Sequence, residues 1–191
     1  MSKNPMLAVG FAAVLALAGT AVQAQGTNTQ SATSPSSAAP ATQQKLNKAD
    51  QHFLTEAIEG DLSEVNMGKL AQQSGQSEDV KQFGEMLQTD HGQHLQKAQA
   101  MAQQFGVTPP TEANAKEKGI YNKLSKEHGA RFDKQFAKTM VNDHKQDIAK
   151  YEKEAKKKGP LAQFAQETIP TLQKHLQTAE GIEKAMKGKK S

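Results

Sequence analysis

Four histidines, His91, His94, His144 and His175, together with Glu64, are the residues of this sequence whose types and spacing suit them to chemistry. His91 and His94 are three apart, so a helix would turn both to one face. Asp90 and Asp143 stand immediately before His91 and His144, and Asp61 and Asp147 lie one turn from Glu64 and His144. The chain has 191 residues and no Cys. That excludes a disulfide framework, a thiolate zinc site and an iron–sulfur cluster. Any metal would sit on imidazole and carboxylate, a donor set suited to zinc, iron, copper or nickel. No nucleophile stands beside a base, and no phosphate-cradling loop is visible, so the sequence offers no catalytic residues and leans away from an enzyme.

The elements that must position these residues are helices. From Leu46 onward apolar residues recur at helical spacing, without the alternating β-branched runs of a sheet. The pattern predicts an all-α domain over residues 46–187. Its first long helix runs from Asn47 to Gln73, and its second, capped by Ser77, runs to Phe105. Pro109 and Pro110 force extended backbone, and a short helix follows over Asn114–Lys126. The third long helix spans Ala130–Lys158, and Gly159-Pro160 starts the fourth, which reaches Met186. Pro170 lies inside the fourth and predicts a kink. Sliding the chain along itself brings Asp90-His91 onto Asp143-His144, Phe83 onto Phe136 and Gly106 onto Gly159, as expected of related segments. Tight turns make two antiparallel pairs, and the long connection between helices two and three permits a crossover that leaves those two parallel. This is the connectivity of a ferritin-like four-helix bundle, with a short helix in the crossover.

Face and level decide which groups can meet. The inward seams read Val80, Leu87, His91 and His94 on helix two, Phe136, Met140, His144 and Tyr151 on helix three, and Leu172, His175 and Ile182 on helix four, with Phe53, Glu64 and Met67 on helix one. His91 follows Gly75 by 16 residues, His144 precedes Gly159 by 15 and His175 follows it by 16. At about 1.5 Å per residue these three share one level, with Glu64 and His94 within roughly 5–8 Å of it. Asp61 is closer in level but less centred on the seam. Two readings follow. One is a metal site formed by Glu64, His91, His94, His144 and His175, with Asp61, Asp90, Asp143 and Asp147 supporting the rings. The other is a buried polar layer that sets register without a metal. His52 and His128 read as surface groups.

The ends place the domain. Lys3, the apolar run Met6–Ala18 and Val22-Gln23-Ala24 form a secretory leader over residues 1–24, cut after Ala24. Residues 25–45, rich in Ser, Thr, Ala, Gln and Pro, read as a disordered tether, and 188–191 as a frayed basic tail. The mature chain is then periplasmic or secreted, without a transmembrane segment. Its net charge of +4 is reached by mixing 24 basic with 20 acidic residues, which argues against a nucleic-acid binder. An envelope protein partner, or weak contact of the helix-three lysines with an anionic surface, remains compatible with it. In that case the chain would be a non-enzymatic interaction module.

The stretches FLTEAIEGDLSEVNMGKLAQQ, FGEMLQTDHGQHLQKAQAMAQQFG, FDKQFAKTMVNDHKQDIAKYEKEA and IPTLQKHLQTAE, in this order, resemble the four segments of the domain of unknown function 4142 family. The resemblance covers roughly residues 48–182. It implies an exported protein with a ferritin-like fold, and no particular activity. The family pattern falls on Glu64, Asp90-His91, Phe132-Asp133, Asp143-His144, Pro170 and His175. The Glu-x-x-His motifs of di-iron ferritins are missing, which points away from ferroxidase chemistry and iron storage and toward a His-rich mononuclear site. A role in envelope stress or metal handling would suit such a protein.

Overall fold

The computed structural model describes residues 45–188. The expected leader, the tether up to residue 44 and residues 189–191 lie outside the described residues. Five helices follow in order: α1 (Lys48–Ser74), α2 (Glu78–Gln104), α3 (Ala115–Leu124), α4 (Gly129–Ala155) and α5 (Pro160–Gly188). The described residues contain no strand.

Local chemistry fixes the ends. The side chains of Asn47, Ser77 and Asn114 accept hydrogen bonds from the backbone N–H groups of Asp50, Val80 and Glu117, starting α1, α2 and α3. Gly106 ends α2 with φ +68°, a conformation that a side chain would strain. Helix α5 continues as one element through Pro170.

Helix α1 packs along α2 and α4 along α5, while α2 lies beside α5 and α1 beside α4. Two polar clips set direction. The backbone N–H groups of Gln76 and Ser77, in the α1–α2 turn, donate to the buried Asp133 carboxylate near the start of α4, at 2.8 and 2.9 Å. Past the far end of α4, Lys157 pairs with Asp50 at the start of α1, at 3.0 Å. Helices α2 and α4 therefore start at the same end and run parallel. The segment between them travels the length of the bundle, with α3 packed over α1 and α4.

The core is two apolar clusters. Near the α1–α2 turn, Met67, Phe83, Leu87, Phe132, Phe136, Met140 and Ile182 pack together. Toward the other end, Phe53, Leu54, Ile58, Tyr151, Leu161, Phe164 and Leu172 do so. Each large side chain so buried stabilises the fold by roughly 1.5–3 kcal/mol. Between the clusters lies a polar layer of Asp61, Glu64, His91, His144, Thr168 and His175, all buried.

Candidate metal centre

Three imidazoles meet in that layer, His91 from α2, His144 from α4 and His175 from α5. One ring nitrogen from each lies within 4.8 Å of those from the other two. Their remaining nitrogens are held outward. His144 Nδ1 donates to the Met140 carbonyl at 2.9 Å. His175 Nε2 donates to the Asp90 carboxylate at 2.9 Å, and His91 Nδ1 donates to Asp61 at 2.9 Å. This is the pattern of rings whose outer N–H is anchored so that the inner lone pair faces an ion.

Proton inventory sharpens the point. Burial, reinforced by His91 and His175, holds His144 well below the usual histidine range. Burial and His91 likewise push His175 down to about 4 against the pull of Asp90. Both shifts favour the neutral imidazole, the form that binds a metal. His144 Nε2 and His175 Nδ1 face each other at 3.2 Å, close enough for a hydrogen bond or for one cation held between the rings. His91 Nε2 is buried with no partner at all. A tetrahedral ion with bonds of about 2.0–2.1 Å needs its nitrogens about 3.3–3.4 Å apart, so one edge is already at that length and the third ring must close by at most about 1.5 Å.

The carboxylates divide the remaining work. Asp61 is buried between two rings, accepting from His91 and, at 2.6 Å, from His94 Nδ1. Burial pushes its carboxyl up, but the two histidines outweigh burial and hold it below the usual range. The same contact acts on His91: burial pushes that ring down, and Asp61 with Glu64 raises it above the ordinary value. Glu64 is pushed up to about 8, first by burial and then by Asp143, Asp147 and Asp61, against the pull of His91. Its Oε1 lies 3.9 Å from His144 Nδ1, and its Oε2 is buried without a partner.

Two of the five candidate ligands from the sequence stand outside the three-ring cluster. His94 Nδ1 meets Asp61, and its Nε2 meets Thr168 Oγ1 at 3.0 Å. The Thr168 hydroxyl also donates to the Phe164 carbonyl. Both His94 ring nitrogens are therefore engaged by side chains outside the three-ring cluster. Glu64 approaches His144 on the nitrogen that faces Met140, away from the cluster. Among the described residues neither Asp143 nor Asp147 bonds a histidine; Asp147 lies 3.5 Å from Lys150. Burial and Asp147 push Asp143 up to about 6. His52 and His128 are exposed. Thr168, which fixes His94, carried no signal beyond its place on a helix seam.

Residues 35–182 match the family model described as a domain of unknown function, DUF4142. The chain belongs to this family. No curated protein matches it. Among solved structures, the crystal structure of a DUF305 fragment from Deinococcus radiodurans is similar, with a TM-score of 0.67 at 13% sequence identity. The match covers 74% of this chain and 99% of that one, and at that identity it shows the fold alone. Within the DUF4142 match lie all three converging histidines and the carboxylates that hold them.

Proposed function

We propose that this DUF4142 chain is an exported, ferritin-like metal-binding protein that holds one transition-metal ion on His91, His144 and His175 and serves metal handling or stress defence in the bacterial envelope. Export is supported by the leader read over residues 1–24. The ferritin-like assignment is supported by two antiparallel helix pairs joined through a long crossover with α2 parallel to α4. The single observation that carries the metal reading is the set of three converging ring nitrogens, each on a ring whose other nitrogen is already held by Asp61, Met140 or Asp90. Neutral imidazoles suit zinc, copper, nickel or ferrous iron.

The test is metal analysis of residues 25–191 prepared without a histidine tag, followed by titration of the chelator-treated protein with each of these ions. Binding of one ion per chain, lost in His144→Ala and His175→Ala with helicity retained, is the expected result. No uptake of any of the four would sink the proposal and leave a structural polar layer.

A further inference from the structure

We propose that the three-histidine centre keeps one coordination position open to the pocket between α2 and α5, and that this position takes a small anion from solvent in exchange for water. The inference rests on the metal reading above and says what that centre would bind.

Among the described residues three nitrogens converge and no fourth ligand joins them. His94 is spent on Asp61 and Thr168, Asp90 is engaged by His175, and Glu64 sits on the outer side of His144. A centre with three protein ligands is the open kind, whose remaining position is filled by water or substrate. Access lies on one side. A cavity of about 110 Å³ opens between α2 and α5, and His91 and His175 form part of its wall. On the other side of the layer the cavity beside His91 measures only about 20 Å³. One water needs about 10–15 Å³, so the larger cavity admits several waters or an anion of a few atoms while the smaller admits little more than one water.

Charge selects the class of ligand. Lys97 lies on the pocket wall with Asp90 and Glu167, and His94 stands there in front of Asp61. A bound divalent ion would be the largest charge met at the open position itself, and there it favours a small anion over a neutral or cationic ligand. The step is ligand exchange alone: the anion donates a lone pair to the metal as water leaves into the pocket, and no electron changes hands.

Azide added to the copper(II)-loaded mature protein tests this by absorbance and electron paramagnetic resonance. The expected result is a saturable azide-to-copper charge-transfer band, absent from His144→Ala. Thr171→Phe, which fills the pocket, should weaken azide binding by at least about tenfold at unchanged copper content. Lys97→Glu, a surface change that leaves packing alone, should weaken it by several-fold. Copper bound at the three histidines with no azide band would overturn the inference, and a band that appears only in Glu64→Gln would do so by naming Glu64 as the closing ligand. Failure to take up copper or any other ion would instead remove the metal reading itself.

Discussion

Replacing Glu64 with Gln should stabilise the metal-free protein in a manner that grows with pH. Glu64 is an acid whose carboxyl is pushed up to about 8 by burial and by Asp143, Asp147 and Asp61. An acid with a raised value in the folded state keeps its proton there after the unfolded chain has lost it. Its contribution to stability is therefore complete below the ordinary 4.5 and drains away as pH rises toward about 8. At about 1.4 kcal/mol per pH unit the whole interval is worth roughly 5 kcal/mol, of which about 3 kcal/mol falls between about pH 5.5 and about pH 8. The glutamine side chain would fill the same space without titrating. His175, pushed down to about 4, produces a limb of the opposite sign, with stability lost as pH falls below the ordinary 6.5. That limb is present in both proteins and cancels when they are compared. The assay is urea unfolding of chelator-treated wild type and Glu64→Gln, followed by circular dichroism across this range. The stability of the variant relative to wild type should climb by about 3 kcal/mol from the acid to the alkaline end. A difference that stays level across the range would refute the assignment of a buried, protonated Glu64.

Asp90→Asn and Asp61→Asn, which weaken the groups orienting His175 and His91, should each lower metal affinity about 10–100-fold with little change in helicity, as measured by competition with a chelating dye. Asp133→Ala should cost about 2–4 kcal/mol in urea unfolding, because the backbone N–H groups of Gln76 and Ser77 lose their acceptor in a site only 2% exposed. Gly84→Ala should cost about 1–3 kcal/mol in the same assay, since its Cβ would come within 2.6 Å of the Gly68 carbonyl where α1 and α2 touch backbone to backbone.

The fold was legible because a helical repeat fixes face and level together. Gly75 and Gly159 mark the turns, the seams mark the inward faces, and counting from one to the other already brings His91, His144 and His175 to one height. The clustering of those three follows from backbone geometry that composition cannot disguise. His94 was not legible in the same way. It shares the inward face with His91, and its exclusion depends on where the second oxygen of Asp61 and the hydroxyl of Thr168 point, which is decided across three helices. The work of Asp133 was hidden for a related reason. On sequence it is one more acidic residue near a helix start, and only the crossover brings it against the α1–α2 turn, 57 residues from Gln76.

The same geometry favours the proposed metal centre over a purely structural polar layer. A layer kept for register alone would satisfy its own donors and acceptors, as Asp133 and Thr168 do here. The histidine layer does so only on its outer side. His91 Nε2 and Glu64 Oε2 are buried without partners, each at a cost of about 1–3 kcal/mol. His144 Nε2 and His175 Nδ1 face each other at 3.2 Å while their other ring nitrogens are engaged by Met140 and Asp90. Filling this space with Leu and Phe like the clusters above and below would remove all of these costs. A cation would give His91 Nε2 a partner, which hydrophobic packing would achieve only by deleting the site. The partnerless His91 Nε2, set with two other converging ring nitrogens beside the pocket between α2 and α5, therefore supports the proposed metal centre over a layer kept for register alone.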